Sequence, residues 1–131
     1  MKRVNTIILF AAIAGFTAVA VGAMGAHALK PFLSDTQMQS FETGVKYHFY
    51  HAIVLLITGI LYAQNNDLKL KWASYLTIAG ILCFSGSIYL LNTAHIISKS
   101  GMKFLGPVTP IGGLLLMGAW ILIGLSAFTK K

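Results

Sequence analysis

An all-α integral membrane protein, a four-helix bundle with an amphipathic extension before the second span, is predicted by three observations. Hydrophobic residues make up 56% of the 131, against 10 Lys+Arg and 3 Asp+Glu, an apolar excess that a small water-soluble domain has no interior to hide. The charges are clustered, which leaves four uncharged stretches at 4–29, 47–66, 72–98 and 104–129. Each is long enough for one crossing of a ~30 Å hydrocarbon layer, which takes about 20 residues, and too short for two. Lipid permits only helices or a closed barrel, and the run Ile53 to Ile57 (IVLLI) lacks the alternation of a barrel strand. The same composition excludes disorder, and the single cysteine, Cys83, excludes a disulfide scaffold. One transmembrane domain is expected, with spans near 4–28, 45–65, 72–96 and 107–128.

The first span follows Lys2 and Arg3, and Ala26-His27-Ala28 has the small-x-small form of a signal cleavage site. Its apolar stretch is longer than a signal core, so it reads as a retained helix. Ala11, Gly15, Ala18, Gly22 and Ala26 recur at spacings of three and four. They form a smooth stripe for helix packing, the kind that lets backbones approach where lipid removes the hydrophobic drive.

The segment PFLSDTQMQSFETGVKYH opens the second helix before the membrane. Ser34 is placed to cap, with Gln37 completing a capping box and Asp35 at the positive helix end. Met38, Phe41 and Val45 recur with helical spacing, and Glu42 stands four before Lys46. Gly44 is the point where this helix would break into a short interfacial piece and a span, if it breaks. Within the second span Gly44, Tyr47, His51, Thr58 and Asn65 share a stripe, as do Ser74, Thr77, Ser85 and Asn92 in the third. Both stripes are expected to face the bundle. Cys83, mid-span among apolar residues, reads as inert packing.

The fourth span opens with GPVTPIGG. Thr109 as cap and Pro110 in the first turn predict a sharp helix start. Gly112 and Gly113 are costly in a helix unless another backbone or a ligand lies against them. The four spans do not resemble one another in pairs, which disfavours an inverted-repeat transporter.

Four crossings place the chain ends on one side. That side carries Lys2, Arg3, Lys69, Lys71, Lys130 and Lys131, and the other Lys30, Lys46, Lys99 and Lys103, so both termini are expected in the cytoplasm of a multi-pass cell-membrane protein. The net charge of +7 reads as inner-leaflet anchoring to the lipid bilayer. Spread over both faces, it forms no nucleic-acid patch.

The same alternation brings His27, His48, His51, His95 and Thr109-Pro110 to one end, with Glu42, Tyr47, Tyr89 and Asn92 nearby. Imidazoles in such a place bind zinc, copper or haem iron, or relay protons. His27 and His51 are the favoured metal candidates, ahead of His48 and His95, and no H-x-x-x-H pair or intramembrane carboxylate accompanies them. No Ser-His-Asp set, P-loop or dinucleotide fingerprint occurs, so no catalytic residue is assigned and an enzyme is disfavoured.

The strings GAMGAHAL (Gly22 to Leu29), KYHFYHAIVLL (Lys46 to Leu56), SGSIYLL (Ser85 to Leu91) and LGPVTPIGGLLLMGAW (Leu105 to Trp120) together resemble domain-of-unknown-function family 423, small bacterial membrane proteins. The resemblance implies four membrane helices and an inner-membrane location, and supplies no activity or cofactor. It carries over at Gly25, His27, Tyr47, His51, Gly86, Tyr89, Thr109, Pro110, Gly112 and Gly113. It departs at His48, where the family often has Gln, and finds no counterpart for His95.

Three readings follow. The first is a binding or transfer protein holding a metal, haem or small molecule in a site built from His27, His51, Tyr47, Tyr89, Asn92, Thr109, Pro110, Gly112 and Gly113. The second is a non-catalytic partner of a membrane complex or of a second copy. The third, a membrane enzyme or proton-coupled permease, is the least favoured because nothing acidic lies deep in a span.

Overall fold

A computed structural model describes residues 2–97 and 102–128. Lys99, Lys130 and Lys131, counted above for orientation, lie outside the described residues, as do the side chains of Lys2 and Arg3. Four long helices account for the chain: α1 (Lys2–Met24), α2 (Asp35–Asn65), α3 (Leu68–Ile97) and α4 (Val108–Ser126). All four lie in segments apolar and long enough to cross a membrane, and no strand occurs among the described residues.

The helices pack in chain order, α1 on α2, α2 on α3 and α3 on α4. Of the apolar windows of α2 and α3, 39% is buried, against 17% for those containing α1 and α4, so the middle pair forms the interior. α1 and α3 flank α2 without packing closely on one another. At the end bearing the N-terminus, Ile7 and Ala11 of α1 meet Leu55 and Tyr62 of α2 and Leu70 of α3.

Ser34 caps α2 as its sequence predicts. Its hydroxyl accepts from the Gln37 N–H while the Gln37 side chain accepts from the Ser34 N–H, closing a capping box. From there α2 runs unbroken for 31 residues, a length of about 46 Å that exceeds the ~30 Å hydrocarbon layer and carries its first turns beyond it. The helix continues through Gly44, which serves contact instead of a break: a Cβ there would lie 2.9 Å from an Ile88 side-chain atom of α3. Ser85 donates to the freed space's carbonyl, Gly44 O, at 2.7 Å.

The polar stripe of α3 is turned inward, with Ser74, Thr77, Ser85 and Asn92 all buried. Ser74 and Thr77 donate to carbonyls one turn back, at Leu70 and Ala73, so each hydroxyl is satisfied within its own helix. On α2, Gly44, His51 and Thr58 are buried, while Tyr47 and Asn65 are exposed.

Two corrections concern helix ends. α4 begins at Val108, after Pro107, and no side chain caps it. Thr109 is inside the first turn, and its hydroxyl bonds Ser87 of α3 at 2.6 Å instead of capping. The small-residue stripe of α1 also does not stay on one face. Ala11 and Ala18 are buried and a Cβ on Gly22 would lie 3.1 Å from Val45, but Gly15 has open space and Ala26 is exposed. The chain passes from α1 into a π turn, Gly25–Leu29, whose wider turn rotates Ala26 out of register.

Candidate functional site

His27 and His95 fall at the end of the bundle opposite the N-terminus, whereas His48 and His51 lie near the middle of α2, and the four divide into separate hydrogen-bonded sets. His27 stands exposed on the π turn. His95 holds the linker to α3: its Nε2 lies 2.9 Å from Phe32 O, and Gln37 Nε2 lies 3.5 Å from its Nδ1. A carbonyl only accepts, so His95 donates from Nε2 and receives the Gln37 amide at Nδ1.

His48 and His51, three apart on α2, sit on adjacent faces of one turn and meet different helices. His51 is buried. Its Nδ1 is 2.8 Å from Tyr47 O, and its Nε2 accepts from Trp120 Nε1 of α4 at 3.2 Å. Since a carbonyl only accepts and an indole N–H only donates, the proton is on Nδ1 and the lone pair on Nε2 is already used. The Tyr47 ring stacks on His51 at 6.0 Å and tilts against Phe84 at 4.9 Å.

His48 is buried between α1 and α3. Thr17 of α1 gives its hydroxyl hydrogen to Ile13 O at 2.8 Å, so at 3.3 Å it accepts from His48 Nε2. Tyr89 of α3 then donates to His48 Nδ1 at 3.0 Å. The tautomer of His51 is dictated by a carbonyl and an indole, whereas both partners of His48 are hydroxyls able to give or accept, and it is the use of the Thr17 hydrogen on Ile13 O that puts the His48 proton on Nε2.

The remaining predicted residues are spread along the helix contacts. Asn92 donates to Ser40 Oγ at 3.0 Å and to Ile88 O at 2.8 Å. Gly112 admits the backbone of α3, since a Cβ there would overlap the Phe84 nitrogen. Gly113 rests beside the Phe84 ring, 3.8 Å from an added Cβ, and Pro110 is exposed. Tyr47 and His51 are thus brought together. His27, Asn92 and the α4 turn do not join them in one cavity, and among the described residues no three His, Cys, Asp or Glu gather as a metal site.

A cavity does form on the other side of His48. Between α1 and α3 lies a hollow of about 400 Å³ lined by Phe10, Ile13, Thr17, His48, Gly86 and Tyr89 among others. It shares Phe10, Ile78 and Leu82 with a second hollow of about 370 Å³ that reaches Thr6 and Tyr75. Its lips, Phe10, Ile13 and Leu82, are exposed, so it opens sideways along the apolar surface. Among the described residues every buried side-chain nitrogen or oxygen has a hydrogen-bond partner. Gly86 differs from Gly112: a Cβ built on it meets nothing within 4 Å.

Thr17 and Trp120 escape the sequence reading. Each leaves a signal: Thr17 is the one hydroxyl between Ile7 and Met24, and a tryptophan N–H in lipid must find an acceptor.

Comparison with known proteins places this architecture. A family model described as Protein of unknown function (DUF423) matches residues 21–113. The UPF0382 membrane protein SH2409 of Staphylococcus haemolyticus is 36% identical over 121 residues, 92% of this chain and 93% of its own length. The UPF0382 membrane protein YwdK of Bacillus subtilis is 37% identical over 92% of this chain and 94% of its own. The UPF0382 inner membrane protein YgdD of Escherichia coli is 32% identical over 95% and 90%. No solved structure matches. Matched through the π turn, the whole of α2 and α3 and the first turns of α4, and along nine-tenths of these relatives, the chain belongs to the DUF423 family of membrane proteins.

Proposed function

We propose that this chain binds a small molecule that it takes from the bilayer, in the groove between α1 and α3, beside His48 and with both termini in the cytoplasm. The observation that carries this reading is the sideways-opening hollow with Thr17, His48 and Tyr89 at one end of its apolar wall. Its volume of about 400 Å³ falls in the range of small-molecule sites, roughly 300–1,000 Å³, as does its make-up of apolar lining and few polar groups. A metal-binding version gains nothing from the geometry, because the ring nitrogens of His51 are both engaged and His27 stands apart.

Protein purified from membranes in mild detergent, extracted with organic solvent and measured by mass spectrometry tests the reading. A defined compound is expected in the wild type and missing from Gly86→Leu, whose side chain fills the groove. Identical extracts overturn it, and a stoichiometric protein partner in place of a small molecule favours the assembly reading instead.

A further inference from the structure

The groove's own chemistry narrows its occupant. No Lys, Arg, Asp or Glu lines either hollow, so no charged headgroup is matched within it. Along α3 the lining runs from Tyr75 to Tyr89, about 21 Å at ~1.5 Å per residue, which is most of a ~30 Å hydrocarbon layer. That is the shape for one long chain lying parallel to the helices. At the Tyr89 end of the groove, two hydrogen bonds hold His48. The one to Tyr89 is 3.0 Å, and the one to Thr17 is 3.3 Å.

The longer bond is the weaker. It is also the one that a ligand can replace without leaving a buried group unpaired. Thr17 already gives its hydrogen to Ile13 O and loses only an accepted bond when His48 Nε2–H turns to another oxygen. The bond to Tyr89, at 3.0 Å, is the shorter and is kept. The exchangeable group is therefore a donor, and what it selects is an acceptor.

Gly86 supplies the second, independent observation. Its missing side chain answers to no atom of this chain within 4 Å, although glycine costs a helix about 0.5–1 kcal/mol relative to alanine. It lines the same hollow as His48 and Tyr89, and the space it leaves is part of that hollow.

We infer that the ligand is a neutral long-chain lipid carrying a carbonyl or comparable acceptor oxygen, its chain in the α1–α3 groove beside Gly86 and its oxygen on His48 Nε2–H. This rests on the binding reading above and adds the chemical class and the recognising atom.

Native mass spectrometry of the full chain in detergent, with a long-chain methyl ketone or the alkane of matching length added, tests it. Wild type is expected to retain the ketone about two- to threefold more than the alkane, a part of the worth of one ordinary hydrogen bond, because the longer Thr17 bond is given up in exchange. His48→Leu is expected to bring the ketone down to the alkane level, and His48→Gln, which keeps a donor and an acceptor, to restore the preference. Gly86→Leu is expected to exclude both, with the thermal midpoint and the emission of Trp72 and Trp120 unchanged to show that the bundle is folded. Equal retention of ketone and alkane by wild type, with both lost in Gly86→Leu, overturns the oxygen recognition and leaves the groove reading standing. Retention unaffected by Gly86→Leu overturns both.

Discussion

At the scale of single residues, burial in lipid makes every unmatched donor expensive, and Trp120 exposes this most directly. Its indole N–H has His51 Nε2 as partner, so His51→Phe keeps an aromatic ring and removes the acceptor. A loss of about 1–3 kcal/mol is expected, read as a lower thermal midpoint in detergent together with a shift in tryptophan emission. Glycines divide just as sharply. Gly112→Ala forces apart α3 and α4, because the added carbon meets backbone at Phe84, and is expected to cost about 1–3 kcal/mol. Gly86→Ala enters open space and is expected to hold or raise stability by up to ~1 kcal/mol. Equal effects of the two substitutions on the thermal midpoint would contradict this assignment of roles. Sequence marks all these residues as unusual for a membrane helix. It does not say which is in contact and which is open, since that depends on the neighbouring helix's register.

At the scale of elements, legibility follows how local the cause is. The capping box of Ser34 and Gln37 is a relation within four residues, so its spacing predicts it correctly. Ser34→Ala is expected to cost about 1 kcal/mol and to speed hydrogen exchange in the first turn of α2 while α3 amides stay protected. Thr109 shows the opposite case. A threonine before a proline carries the local signature of a cap, but Pro107 starts the helix earlier and a tertiary partner, Ser87, takes the hydroxyl. The π turn at Gly25–Leu29 is equally hidden, because one residue of extra winding leaves no compositional trace. With it goes Ala26, whose place on the packing stripe of α1 depends on unbroken α-helical pitch.

At the scale of the molecule, charge spacing alone foretells four helices, because each uncharged stretch is one bilayer thick. It also predicts all four histidines at one end, where the structure has His27 and His95, while His48 and His51 sit near the middle of α2. What it leaves out is angle: the offset of about 60° between two residues three apart on α2 decides that His48 meets α1 and α3 while His51 meets α4. The proposed insertion, four crossings with cytoplasmic termini, has a direct consequence for labelling. In a Cys83→Ser background, a membrane-impermeant maleimide added to intact cells is expected to modify Thr36→Cys and to spare Gln64→Cys. The reverse pattern would invert the insertion, and labelling of both would refute the four-pass thread.

The gap between α1 and α3 has its doorway in the side wall, at Phe10, Ile13 and Leu82, which are exposed. A guest arriving through such a wall never passes through water. Its occupancy therefore follows its mole fraction among the surrounding lipids, by mass action in two dimensions, and dilution of the aqueous phase leaves it unaltered.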